Sequence, residues 1–367
     1  MTGATKPGSR NVHFLQESRA PQGTGPPDVE DVRVTKLEPN GLEASSRNAV
    51  GRAKESGPLD AWRAVSRTRP VLERAELLQK QKDKAEVWRL TGRPRGDCVI
   101  AKRCRLVEAD REELVYSSVL PRIGMATGQY LGRVDAGDGR TAWLFVKELV
   151  GVPYDAEEPL HRDLAAAWLS ALHAAAREAP AVADLPDVGP PRYRPMLEDL
   201  VRTLAQASLN EELGRSDLEA IEQAASCCHE VSELWPRIER AVRRLPQTLV
   251  HGSFSRRNMV VIPTSGQPVL GVFDWGAAGC GVPARDLVKL VDPKVAGSVA
   301  IYWRKFPDVA PSDQDLLVAV GRLIRAVEHM SWVAPGCHHP CLSEPMRRLA
   351  AHGAQLVAAR DVLLGLV

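Results

Sequence analysis

The sequence predicts an α+β fold in which a small antiparallel sheet precedes a mostly helical half. Three observations carry this expectation. Between Val87 and Leu149, short runs rich in β-branched and aromatic residues are separated by turns of Gly, Pro and Asp. From His161 onward the apolar residues recur at helical spacing, with Ala and Leu dominant. One more β-like stretch, Thr248 to Phe273, interrupts the helical half. With 367 residues, 44% of them hydrophobic and 26% charged, the chain can bury a sizeable core, which excludes a fibrous, collagenous or wholly disordered protein.

In chain order, residues 1 to 57 hold 15 apolar residues among turn-prone pieces and balanced charge, too few to offset ordering entropy, so a disordered tail is expected. Asp60 to Glu86 has helical spacing, with Leu72, Ala75, Leu77 and Leu78 among Lys, Arg, Glu and Gln; this predicts one or two surface helices. Val87 to Leu90 and Cys98 to Arg103 read as a hairpin about the turn Gly92 to Gly96. Asp110 is the expected cap of a helix running through Glu112, Leu114, Val115, Tyr116 and Val119 until Pro121 stops it.

Gly128 to Val134 and Thr141 to Leu149 follow as strands joined by Asp135 to Gly139. Helices are predicted over His161 to Ala176 and within Tyr193 to Leu245. The β-like insertion comprises Thr248 to His251, Met259 to Ile262 and Val269 to Phe273, with Thr264 to Gln267 as its turn. Asp286 to Val367 reads as helical, broken near Pro335 to Pro345. The expected division is therefore a tail 1–57, a β-rich part 58–150 and a helical part 151–367.

Lys and Arg number 48 against 46 Asp and Glu, so no global positive field gathers nucleic acid, and any phosphate chemistry is local. No apolar run reaches the ~18 residues of a membrane span, and the polar start of the chain does not read as a signal peptide. Seven scattered cysteines argue for reduced thiols, and together these features predict a cytoplasmic protein.

The chemistry concentrates in Leu249-Val-His-Gly-Ser-Phe-Ser-Arg-Arg-Asn258, followed by Gly271-Val-Phe-Asp-Trp275 and Gly281-Val-Pro-Ala-Arg-Asp286. In a kinase catalytic loop an Asp accepts the substrate hydroxyl proton, an Asn five residues later holds magnesium, and an Asp beyond a short hairpin chelates the metal that bridges the phosphates. Asn258 and Asp274 fit the last two roles, because two hard oxygen ligands on either side of a hairpin converge on one cation that keeps phosphate oxygens and water for its remaining positions. Asp274 in an apolar strand is also a costly charge to bury without a partner. Lys102, in the strand Cys98 to Arg103, precedes Glu112 by ten residues.

At these residues the sequence resembles the aminoglycoside phosphotransferase-like family, whose fold is similar to protein kinases and whose loop reads His-Gly-Asp, four residues, Asn, then Asp-Trp-Glu. The resemblance covers most of Val87 to Val291. It implies two lobes, a small antiparallel N-lobe sheet with one helix and a mainly helical C-lobe, with ATP and Mg²⁺ between them. It further implies Lys102 on the ATP phosphates, Glu112 holding that Lys with Glu113 as the fallback, and Trp143 to Leu149 as the hinge that meets adenine. His161 to His173 resembles the family's long first C-lobe helix. The catalytic set it implies is His251, Ser253, Asn258 and Asp274, with Asn258 and Asp274 also as metal ligands and His251 more a brace of the loop than an acid or base.

Two positions depart from the pattern: Ser253 stands where the family has its catalytic Asp, and Gly276 where Glu commonly follows Asp-Trp. A serine hydroxyl has no anionic form near neutral pH, so it does not replace the general base. Two function classes follow, an ATP-dependent phosphotransferase acting on a hydroxyl of a small molecule or peptide, and a non-catalytic pseudokinase that binds nucleotide or metabolite. Three other signals are discounted. His161-Arg-Asp163 spells a kinase tripeptide in a helical context without the Asn, Cys337-His-His-Pro-Cys341 lacks a second pair of metal ligands, and Cys227 and Cys228 read as packing residues in a helix.

Overall fold

The computed structural model describes residues 57–65, 71–81, 85–92, 98–123, 125, 127–290, 296–338 and 343–367. The expected tail, most of the turn Gly92 to Gly96, and the His339 to Cys341 part of the Cys-His run lie outside these residues.

A five-stranded antiparallel sheet in the order β1-β2-β3-β5-β4 forms the first half: β1 Leu72–Gln81, β2 Ala85–Gly92, β3 Cys98–Arg105, β4 Tyr130–Asp135 and β5 Thr141–Lys147. Strand alternation gives each face its own core. On one face Val99 and Ala101 of β3 and Trp143 and Phe145 of β5 pack with Leu72, Leu90 and the helix α1, Pro58–Val65, whose Trp62 lies 5.3 Å from the Phe145 ring. On the other face Cys104, Ala142 and Leu144 pack against Ala109 of helix α2, Leu106–Leu114. Lys102 shares parity with Cys104, so alternation delivers it to the α2 side.

Two expectations are corrected here. Leu72–Gln81 is a strand, not a helix: it pairs along its length with β2, with register shifts at Leu72/Arg74 and Leu77/Gln79. Its helix-favouring residues are overridden by the ladder hydrogen bonds that β2 supplies and by burial of Leu72, while its many charged residues suit a sheet edge. The second correction concerns the helix around Glu112. It starts at Leu106, ahead of Asp110, where the Leu106 N–H bonds the Arg140 carbonyl, and Pro121 does not stop it. Val115–Val119 form a π-turn in which the Leu120 N–H reaches back to Val115 O, and α3, Leu120–Ile123, continues through the proline. The wider turn accommodates a ring that would collide with the carbonyl four residues back in a regular helix.

The second half is helical. The long helices are α4 Pro159–Ala176, α5 Arg194–Ala207, α6 Arg215–Arg243, α9 Pro311–Val333 and α10 Ser343–Leu364, with the shorter α7 Ala284–Leu287 and α8 Ala296–Trp303. A single apolar core joins them. Short strands thread this half: β6 Val152–Pro153 pairs with β8 Met259–Ile262, β8 forms a hairpin with β9 Val269–Val272, and β7 Thr248–Val250 pairs with β10 Gly279–Gly281. This is the kinase-like architecture, and the residues of the 251–258 loop lie between β7 and β8. His161 and Asp163 sit in α4, where they bond Asp155 N–H and the Ser298 hydroxyl, as expected of a helix and not of a catalytic loop. Among the described residues no helix is long and apolar enough to cross a membrane.

Candidate active site

Two carboxylates and one lysine meet where the sheet faces the helical half. Lys102 on β3 is held by Glu112, and its Nζ lies 2.5 Å from Oδ1 of Asp274, two residues past the end of β9. Glu112 is buried, whereas Glu113 turns away to accept from the Tyr130 hydroxyl at 2.8 Å and from Arg133 at 3.1 Å, so the helix presents Glu112 inward. Burial works against the charge on Lys102, but the Glu112 and Asp274 carboxylates outweigh it and hold the ammonium protonated, well above the ordinary lysine range. Asp274 adopts φ +70°, an uncommon conformation for a side-chain-bearing residue, and its carboxylate is 44% exposed, aimed at the cleft instead of the core.

The loop below is braced from several sides. Asp286, fully buried, accepts from the His251 N–H at 2.7 Å and the Gly252 N–H at 2.9 Å, and His173 Nε2 lies 3.3 Å from it. Burial alone would raise this carboxyl, yet the His173 contact and the backbone donors hold it below the usual range. His251 is engaged at both ring nitrogens: Nδ1 accepts from Ser253 N–H at 3.1 Å, and Nε2 donates to Phe273 O at 3.1 Å. Burial lowers its pKa, and its ring lies tilted 4.5 Å from the Trp275 ring, so it is a neutral brace tying the loop to the segment after β9. Gly252 has φ +73°, and a Cβ there would lie 2.3 Å from Ala277 O, so only glycine fits.

Asn258 closes the loop. Its Nδ2 donates to Ser253 O at 2.9 Å and Ser253 Oγ at 2.8 Å, which leaves Oδ1 without a donor among the described residues. A free amide oxygen and a rim carboxylate are hard donors suited to Mg²⁺, which takes one or two protein oxygens and fills its sphere with phosphate and water. Among the described residues no group of three His, Cys, Asp or Glu side chains forms a metal cage by itself. Gly276 packs closely on the Lys102–Glu112 pair: a Cβ there would lie 3.1 Å from Glu112 Oε1 and 3.7 Å from Lys102 Nζ.

Sequence reasoning passed over two guanidiniums. Arg111 on α2 donates to Gly276 O at 2.6 Å, and Arg285 on α7 pairs with Glu328 at 2.7 Å, with its Nη1 2.8 Å from the Cβ position of Gly252. Neither contact has a local signal, since each joins residues far apart in the chain.

The family model of the phosphotransferase enzyme family matches residues 75–310. The chain belongs to the phosphotransferase enzyme family. Solved structures agree on the fold of this phosphotransferase-family chain. It resembles an aminoglycoside phosphotransferase from Alicyclobacillus acidocaldarius at TM-score 0.57 and 15% identity, over 80% of this chain and 91% of that one. It also resembles the GDP and kanamycin complex of APH(2″)-IIIa at TM-score 0.55 and 14% identity, over 79% and 93%. A microcompartment-associated aminopropanol kinase matches at TM-score 0.52 and 14% identity, over 80% and 92%. No curated protein sequence is significantly similar to this phosphotransferase-family member.

Proposed function

We propose that the chain binds ATP with Mg²⁺ in the cleft between an N-lobe, 58–150, and a C-lobe, 151–367, and transfers the γ-phosphoryl group to a hydroxyl of a small molecule. The observation that carries this reading is the Lys102–Glu112–Asp274 cluster: a lysine charge held by one carboxylate on its own lobe and directed at a second from the other. Two carboxylates against one ammonium leave a net negative charge that a divalent cation would balance, and Lys102 would then meet the phosphates. Asp274 and the free Asn258 Oδ1 would hold the metal, which neutralises charge on the phosphate oxygens when bound. Backbone of Trp143 to Leu149 would meet the adenine. The cysteines described are free thiols, in keeping with a cytoplasmic location.

In the transfer the bond from the γ-phosphorus to the ADP oxygen breaks, and ADP keeps its electron pair. A bond from phosphorus to the acceptor oxygen forms, and the hydroxyl proton passes to a phosphoryl oxygen or water. Ser253 orients the acceptor without taking that proton, since its hydroxyl has no anionic form near neutral pH; Asn258 Nδ2 holds its Oγ in place. A loose transition state needs little deprotonation of the nucleophile, so positioning and charge stabilisation by Lys102 can sustain transfer without a carboxylate base.

The second reading, a nucleotide-binding pseudokinase, is favoured by Ser253 alone. Incubating the purified protein with Mg·ATP and a panel of hydroxylated metabolites, while measuring ADP release, separates the two. Acceptor-dependent ADP supports the enzyme; nucleotide binding with no ADP above the protein-free control supports the pseudokinase.

A further inference from the structure

Helix α2 reaches the segment that carries Asp274 with two neighbouring side chains. Glu112 holds Lys102, whose Nζ meets Asp274, and Arg111, one residue earlier, donates through Nη1 to the Gly276 carbonyl at 2.6 Å. The approach is close: a Cβ at Gly276 would lie 3.1 Å from Glu112 Oε1 and 3.7 Å from Glu108 Cβ, so the face of α2 that bears Glu108, Arg111 and Glu112 lies against the backbone two residues past Asp274. Arg111 is otherwise poorly served. It makes no ion pair among the described residues, its Nε is buried without an acceptor, and burial lowers its pKa. Packing alone does not explain a part-buried cation in that state, since an apolar side chain of similar length would fill the space at lower cost. What the guanidinium adds is a charge-assisted bond to one carbonyl.

That carbonyl belongs to a strained segment. Asp274 has φ +70°, a conformation that persists only where its surroundings fix it. Upstream, the Phe273 N–H donates to Asn258 O at 3.1 Å and its carbonyl accepts from His251 Nε2 at 3.1 Å. Downstream, Trp275 is buried with its ring 4.5 Å from His251 and 6.1 Å from Trp168, and its carbonyl accepts from the Ala278 N–H at 2.9 Å. These restraints all come from the second half of the chain. Arg111 supplies one from the first half, on the helix that also sets Lys102 through Glu112.

We propose that Arg111 is a positioning residue: its bond to the Gly276 carbonyl fixes the backbone that presents Asp274, so that the carboxylate stands ready for magnesium and is placed by the same helix as Lys102. This rests on the phosphotransferase reading for the metal role of Asp274, but the fixing of the backbone is testable apart from it. A guanidinium-to-carbonyl bond biases an equilibrium by ~10-fold or more, so its loss should free the segment to a comparable degree.

The test compares the full-length parent with Arg111→Met, which keeps an unbranched side chain and removes the donor. In the nucleotide-free proteins, hydrogen exchange over Phe273 to Ala278 should quicken ~10-fold or more in the variant, while exchange over His251 to Asn258, held by Asp286, stays as in the parent. In calorimetric titration the variant should bind the Mg²⁺ complex of a non-hydrolysable ATP analogue ~10-fold or more weakly, and should bind adenosine, which needs no metal, as the parent does. Arg111→Lys, which keeps the cation with a shorter reach, should show both changes in smaller measure, and it carries the test if the methionine variant does not fold. Unchanged exchange over Phe273 to Ala278, unchanged affinity for the Mg²⁺ complex, or equal losses of analogue and adenosine affinity would each overturn the proposal, because a side chain that merely packs there gives one of these results. Failure of the parent to bind the Mg²⁺ complex would instead count against the phosphotransferase reading, and the exchange arm would still decide whether Arg111 fixes the segment.

Discussion

At the scale of single residues, position 253 separates a catalyst from a binder. Ser253 Oγ sits 2.8 Å from Asn258 Nδ2, in the loop that carries the candidate metal ligand. An Asp there would accept the same bond and add a base, so Ser253→Asp is expected to raise acceptor-dependent ADP release by up to ~10²–10⁴-fold. A fall in turnover with nucleotide affinity intact would show that the hydroxyl positions the acceptor in a way a carboxylate disrupts. Gly252 makes a structural counterpart. Its left-handed backbone and the 2.3 Å approach of Ala277 O leave no room for a side chain, so Gly252→Ala should cost about 2 kcal/mol or more, read as a lowered urea midpoint. An unchanged midpoint would contradict the braced loop described here. The residues of this loop were legible because their spacing is local: His251, Ser253 and Asn258 fall within one turn-rich segment. Arg285 and Arg111 were not, because their contacts with the loop and with Gly276 are set by folding and leave no periodic trace.

At the scale of elements, the sheet was readable where short runs with β-branched or aromatic residues lie between turns, as in Cys98–Arg105 and Thr141–Lys147, and unreadable in Leu72–Gln81. That strand has helix-forming residues and few buried ones, and what makes it a strand is the partner β2, a non-local effect. Leu72, at 2% exposure, is its anchor beneath Trp62, Leu90 and Phe145. Leu72→Ala should therefore destabilise the protein by about 2–5 kcal/mol, whereas Leu78→Ala, on the exposed side at 42%, should change the unfolding midpoint little. Equal effects would show that β1 does not anchor the sheet. The π-turn before Pro121 was missed for a related reason: proline signals a helix stop, and local widening of the turn is a solution the sequence does not announce.

At the scale of the whole molecule, a buried and a half-buried histidine make stability depend on pH. His251 is held neutral by burial, and His329 is pushed down to about 4 by burial and then by His352 and nearby cations. Both have folded pKa values below the ordinary 6.5, so the unfolded chain takes protons first as the solution is acidified. The stability they contribute is present above about pH 6.5 and is lost as pH falls through the folded values. The melting temperature should thus decline between about pH 6.5 and pH 4, and His329→Gln should flatten that decline; an unaltered slope would remove His329 from the account. The central claim, that the two lobes share one magnesium–nucleotide site, is tested most directly by titrating ATP into parent and Asp274→Ala proteins with and without Mg²⁺. The account predicts Mg²⁺-dependent binding in the parent that is lost in the variant, with the fold retained. Equal ATP affinity in the two proteins, or parent binding indifferent to Mg²⁺, would contradict it.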